Sequence, residues 1–114
     1  MQNLEEIKKR FLKNNLPIRL GCIASDLVRI KSFSGMPNNQ KAIKDLIEES
    51  KFFIEWTAPK ASLKVQEELV NLQIQLALSA YLRKRKEIAK IADKWSIKIL
   101  KLSGLIPSAK IPGL

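Results

Sequence analysis

The residues whose type and spacing most clearly suggest a chemical role are lysines grouped near the carboxy terminus. Five of them recur at spacings of three and four residues: Lys86, Lys90, Lys94, Lys98 and Lys101. At the helical rotation of about 100° per residue, they fan across an arc of about 120°. A row of ammonium groups attracts anions, so the candidate partners are lipid headgroups, acidic proteins and nucleic acid. Ile97 lies inside the same arc, where it would face solvent or dip into a headgroup layer.

The distribution of charge also points to this end of the chain. The 114 residues carry 21 basic and 11 acidic side chains, a formal net charge of +10. Residues 81–114 hold 9 basic and 2 acidic groups and contribute +7, whereas residues 1–80 hold 12 and 9 and contribute +3. Lysines outnumber arginines 16 to 5, alongside 14 isoleucines. A compositional origin of the charge therefore remains an alternative to a functional one.

An aromatic pair is the second candidate for an interaction. Phe52 and Trp56 lie one turn apart on a predicted helix, on the side that also carries its carboxylates: Asp45, Glu48, Glu49 and Glu55. If exposed, such a pair would anchor a partner, because aromatic side chains carry much of the binding energy of interfaces. Alternatively, residues 2–13 or the carboxy-terminal tail fold over the pair. In a further arrangement, this acidic helix meets the basic last helix of a second copy, forming a homodimer.

Enzyme chemistry has little support in the sequence. The chain has no histidine, which removes the commonest general base and the commonest metal ligand. The adjacent pairs Glu48-Glu49 and Glu67-Glu68 point about 100° apart on a helix instead of converging. Cys22 is a single cysteine beside an apolar stripe, and we interpret it as a packed small residue. We predict a protein with no catalytic site, no metal and no cofactor.

Helical periodicity runs through the whole sequence and places these candidates on helices. The predicted helices cover residues 2–13, 16–34, 40–57, 61–81 and 85–103. Asn14-Asn15 and Pro17 separate the first two, and Gly35 and Gly104 are predicted stops. The fold class is therefore all-α, an antiparallel bundle of four main helices with a short N-terminal helix. Its divisions are an arm at residues 1–15, the bundle at 16–104 and an irregular tail at 105–114.

The stretch Ala61–Tyr81 has two apolar stripes on opposite sides of one helix. One stripe contains Val65, Leu69, Leu72, Leu76 and Ala80, and the other contains Leu63, Val70, Ile74, Ala77, Leu78 and Tyr81. No charged residue occurs from Leu69 to Leu82. A helix that is apolar on two sides favours neighbours on both. We therefore expect this helix to be the centre of the bundle.

Two sequence segments give the chain a resemblance to a known protein family. With Arg19-Leu20-Gly21-Cys22-Ile23-Ala24-Ser25-Asp26-Leu27-Val28-Arg29-Ile30 and Glu49-Ser50-Lys51-Phe52-Phe53-Ile54-Glu55-Trp56-Thr57-Ala58-Pro59, it resembles a family of small all-helical cyanobacterial proteins. That family has no established activity and is associated only with the label "thylakoid-associated". The resemblance implies a photosynthetic bacterial cell with anionic thylakoid lipids, and it implies no site residues.

The sequence as a whole predicts an interaction protein. A single cysteine rules out an internal disulfide and fits a reducing compartment, and no apolar run is long enough for a membrane span. We expect a cytoplasmic protein, peripheral to an anionic membrane such as the thylakoid or bound to an acidic protein partner. The alternative is a small basic nucleic-acid-binding protein, although no aromatics interleave with the lysines for base stacking.

Overall fold

A computed structural model describes residues 3–81 and 85–105, and every regular element among them is helical. The helices are α1 (Leu4–Leu12), α2 (Leu16–Ser34), α3 (Gln40–Thr57), α4 (Leu63–Tyr81) and α5 (Arg85–Ser103). A 3₁₀ turn, Ala58–Lys60, joins α3 to α4. The all-α prediction is confirmed, and the predicted helix bounds agree to within two residues. Of the predicted tail, only Leu105 lies within the described residues.

Local capping explains why the helices begin and end at these positions. The side-chain oxygen of Asn3 accepts a hydrogen bond from the Glu5 amide at 2.9 Å, and that of Asn15 accepts one from the Ile18 amide at 3.1 Å. Both bonds satisfy amides that have no partner within the helix. Gly104 ends α5 with φ 73°, the left-handed geometry expected of a glycine stop. Gly35, in contrast, ends α2 without leaving the right-handed region.

Helix α2 is the centre of the packing, since it contacts both α3 and α5 along its length. Its apolar stripe is fully buried and consists of Leu20, Ile23, Leu27 and Ile30. The core is completed by side chains from the other helices, chiefly Ile54 of α3, Leu69 and Leu72 of α4, and Trp95 and Ile99 of α5. Helix α4 packs on α5 and, less closely, on α3.

The prediction that α4 is the central helix is wrong. Its first stripe is buried at Leu69, Leu72 and Leu76, as expected. The second stripe is left largely uncovered by the described residues. Its large side chains are exposed: Leu63, Val70, Ile74, Leu78 and Tyr81. The periodicity identified two apolar faces correctly, but α2 supplies the centre and α4 lies at the edge.

Two arginines tie the chain segments together. Arg85, at the start of α5, donates to the carbonyl oxygens of Phe33, at 2.9 Å, and Met36. Phe33 O, in the last turn of α2, also accepts from the Met36 amide at 3.1 Å, and Met36 lies just beyond the helix. Arg19 donates in the same way at the end of α1, to Leu12 O and Asn14 O, both at 2.8 Å. The start of α5, where the lysine row begins, is thereby held to the end of α2.

Candidate anion-binding face

The inner side of α5 determines which way its lysines point. Trp95 is buried, and its indole Nε1 donates a hydrogen bond to Gln75 Oε1 of α4 at 3.0 Å. Ile88, Ala92 and Ile99 are buried on the same side. Because these residues fix the rotation of the helix about its axis, the lysine arc is turned away from the core.

Four of the five predicted lysines are exposed along this outer side: Lys86, Lys90, Lys94 and Lys101. Lys90 lies 3.8 Å from Glu87, at the limit of ion pairing, and both groups are well exposed, so the pair contributes little. Among the described residues, no carboxylate is within ion-pairing distance of Lys86, Lys94 or Lys101. These four lysines, together with Ile97, are called the lysine face below.

Lys98 occupies a different environment from the other lysines of the row. Its Nζ lies 2.7 Å from Glu68 Oε2 of α4 and 4.7 Å from the centroid of the Trp95 ring. Its charge is therefore partly compensated by a carboxylate and an aromatic face. We infer that Lys98 holds α5 to α4, and that it is less available to a ligand than its four neighbours are.

The lysine face is bounded by ion pairs on both sides. Lys98 and Glu68 mark the border with α4, and on the other side Lys31 of α2 lies 2.8 Å from Asp93 of α5. Both carboxylates are thus engaged with other cations. Ile97 lies between the borders with 37% of its surface exposed. The result is a positively charged strip with one apolar side chain within it.

The aromatic pair of α3 belongs to a larger cluster that includes α1. Phe11 of α1 stacks on Phe53 with ring centroids 4.2 Å apart, and it contacts Trp56 at 5.9 Å. Phe52 and Trp56 are themselves 5.7 Å apart, and both are half-buried. Lys8 of α1 lies over the Trp56 ring at 5.8 Å. Helix α1 therefore covers part of Trp56, which is the arrangement expected if the leading segment folds over the pair.

A buried carboxyl group is the feature that the sequence reasoning missed. Asp26 is 1% exposed, and neither of its oxygens has a hydrogen-bond donor in the described structure. Burial, followed by the charge of and a hydrogen bond with the nearby Glu49 carboxyl, raises the pKa of Asp26 to about 8, and Arg29 offsets only part of that rise. A protonated Asp26 can donate to Glu49, which satisfies one oxygen. The same burial raises the pKa of the Cys22 thiol, which disfavours a reactive thiolate.

The burial of Asp26 could have been predicted from its position in the sequence. It directly precedes Leu27, a member of the α2 stripe, and it is four residues from Cys22, beside the same stripe. A lone carboxylate at such a position points toward a packed neighbour. The described residues contain no group of three or more histidine, cysteine, aspartate or glutamate side chains that could hold a metal ion.

Within residues 3–81 and 85–105, no helix combines the length and apolar character that crossing a membrane requires. No protein-family model, no curated protein and no solved structure matches the chain.

Proposed function

We propose that this chain is a non-catalytic interaction protein, an antiparallel bundle of four main helices that binds an anionic membrane surface through its lysine face. The observation that carries the proposal is the arrangement of Lys86, Lys90, Lys94 and Lys101 around the exposed Ile97. These lysines sit on a helix whose opposite side is locked into the core. The site is therefore presented as a fixed strip on a folded surface.

Lipid headgroups suit this strip better than a single acidic ligand does. The lysines extend from 86 to 101, which is about 22 Å along a helix at 1.5 Å per residue. A strip of that length matches an extended surface of charge. Each lysine near an anionic bilayer contributes about 1 kcal/mol, and an apolar side chain among them can enter the headgroup region. The resemblance to thylakoid-associated proteins suggests the thylakoid membrane as the surface.

Vesicle co-sedimentation tests this function directly. We expect the protein to sediment with vesicles that contain anionic lipid and to remain in solution with neutral vesicles. Raising the salt concentration should weaken binding, because ions screen the attraction between the lysines and the lipid. Vesicle binding should also persist when duplex DNA and RNA are added as competitors. If DNA or RNA displaces the protein from the vesicles, that result would instead support the nucleic-acid-binding alternative.

A substitution at Ile97 separates lipid insertion from charge attraction alone. Ile97→Ser keeps every charge but removes the apolar side chain from the strip. We expect binding to anionic vesicles to weaken about tenfold, because burial of an isoleucine side chain in an apolar environment contributes on the order of 1.5–3 kcal/mol and insertion is partial. Val28→Ser on α2 is the matched control, since Val28 is also an exposed helical residue. Equal binding by both variants and the wild type would exclude insertion of Ile97.

A further inference from the structure

The side of α4 that faces away from the core is an apolar surface with no charge in its carboxy-terminal two-thirds. It is formed by Leu63, Val70, Ile74, Ala77, Leu78 and Tyr81, which we call the outer face of α4. Tyr81 is 84% exposed, Leu63 71% and Ile74 58%. Monomeric proteins rarely expose a contiguous apolar patch larger than a few hundred Å².

The spacing of these residues is that of a helix pairing seam. Val70, Ile74, Ala77 and Tyr81 follow one another at intervals of four, three and four residues. This is the alternation by which two helices interlock along their length. The seam extends back through Glu67 to Leu63 with the same intervals, so it covers the whole of α4.

A groove of about 1030 Å³ between α3 and α4 adjoins this face. It is lined by Ile43 and Ile47 of α3 and by Ile74 and Ala77 of α4, among others. Ile74 and Ala77 belong to both the groove and the outer face, so the two surfaces are continuous, although the groove also has charged side chains in its lining: Lys44, Glu48, Lys51 and Arg85. A helix lying on the seam could therefore place large side chains in the groove.

We propose that the outer face of α4 binds the same face of a second copy of this chain, with the two α4 helices antiparallel and crossing at Ile74. The area supports this occupant. The large side chains that lie opposite the partner's α4 in this register are Val70, Ile74, Leu78 and Tyr81, which are 48–84% exposed. They offer roughly 500 Å² per copy, taking on the order of 200 Å² for a large side chain. Two copies together would bury about 1,000 Å², the least expected of a specific interface.

The distribution of charge favours a second copy as the partner and an antiparallel arrangement of the two α4 helices. An acidic partner would meet no cation on the face between Leu69 and Tyr81, whereas a second copy meets an equally neutral surface. In an antiparallel pair centred on Ile74, Val70 lies opposite the partner's Leu78. Glu67 then lies opposite the partner's Tyr81, whose phenol can donate a hydrogen bond to it. A parallel pair would place the two Glu67 carboxylates against each other.

The experiment compares two valine substitutions by analytical ultracentrifugation of the full chain. Val70 and Val28 are equally exposed, at 48% and 47%, but only Val70 lies on the outer face of α4. We expect the wild type and Val28→Glu to dimerise with increasing concentration. Val70→Glu should weaken dimerisation by about 100-fold or more, since each copy would bury a carboxylate against Leu78. Circular dichroism checks that both variants remain helical.

The salt dependence of dimerisation is an independent test, because we expect it to be opposite to the salt dependence of lipid binding. Because each copy carries a net charge of +10, two copies repel each other, and added salt should strengthen the dimer. A wild type that stays monomeric at submillimolar concentration would overturn the proposal. That holds also if the reason is that residues 106–114 cover the face. So would equal effects of the two valine substitutions. If the wild type is itself monomeric, loss of vesicle binding by Val70→Glu would identify lipid as the occupant.

Cross-linking tests the antiparallel direction even if the valine variants prove unstable. In a Cys22→Ala background, Ile74→Cys should form a disulfide between copies on mild oxidation, whereas Tyr81→Cys should not. Two Tyr81 positions would be about 21 Å apart in the antiparallel pair, at 1.5 Å per residue, well beyond disulfide reach. Efficient cross-linking of both variants would show a parallel pair and overturn the arrangement. Absence of both cross-links would overturn the pairing itself.

Discussion

At the scale of single residues, Asp26 has the most strongly shifted pKa among the described side chains. An exposed aspartate has a pKa of 3.8, but burial between α2 and α3 holds that of Asp26 at about 8. The folded protein therefore retains a proton that the unfolded chain releases between these two values. Stability from this group is complete below pH 3.8 and falls as the pH rises toward 8.

Asp26→Asn should remove this dependence on pH. The wild type is expected to lose a few kcal/mol of unfolding free energy between pH 5 and pH 8 relative to the variant, since each pKa unit corresponds to about 1.4 kcal/mol. Urea unfolding at a series of pH values measures this change in unfolding free energy. Asp45→Asn, at an exposed position, is the control and should keep the wild-type slope. Parallel curves for the wild type and Asp26→Asn would contradict the assignment.

The same scale shows how far the candidate site was predictable. Four lysines and Ile97 lie on one exposed side of α5 as the spacing predicted. Lys98 falls on the same arc, yet it pairs with Glu68. That pairing depends on which helix lies beside α5 and on its register. Spacing along one helix carries no information about either.

At the scale of elements, α1 is attached to the bundle by an aromatic stack, with Ile7 also packed against the core and Arg19 of α2 bonded to the Leu12 carbonyl. Phe11 is buried against Phe53 and Trp56, and the isolated nine-residue helix would be marginal in water. The half-buried state of Trp56 therefore depends on Phe11. The same contact limits how much of the aromatic pair is left to bind a partner.

Phe11→Ala should detach α1 and cost about 3 kcal/mol, at the low end for loss of a buried phenylalanine because α1 is peripheral. We expect the tryptophan emission to shift to longer wavelength as Trp56 becomes exposed. Trp95, which is 2% exposed in the core, should contribute an unchanged component. Leu12→Ala on the same helix is the control, since Leu12 is exposed. An unchanged emission in Phe11→Ala would show that α1 does not depend on this stack.

Helix bounds were predictable because their causes are local. Asn15 and Pro17 begin α2, and Gly104 ends α5, through bonds and torsions within a few residues of the chain. The place of α4 in the bundle was not predictable in the same way. Its two apolar stripes show that each face favours a neighbour, but they do not specify which helix, of this chain or of a second copy, that neighbour is. A stripe that binds a second copy has the same periodicity as one that binds the core.

At the scale of the whole molecule, the two proposed surfaces lie on different helices and respond oppositely to salt. The lysine face on α5 attracts anions, and salt weakens that attraction; the outer face of α4 is apolar and neutral. A dimer through α4 would carry two lysine faces on one particle. Binding of both faces to one membrane would raise the apparent affinity if the geometry allows it. Vesicle binding should then strengthen in the concentration range in which the dimer forms.

The most direct test of the lysine face compares two triple substitutions with equal changes in charge. Lys90→Glu, Lys94→Glu and Lys101→Glu reverse the face, whereas Lys13→Glu, Lys41→Glu and Lys60→Glu reverse three other exposed lysines. Binding to anionic vesicles is measured for both at one salt concentration. We predict a loss of about 100-fold or more for the first set, at about 1 kcal/mol for each lysine, and a much smaller loss for the second. Equal losses would show that only net charge matters and would contradict a specific lysine face.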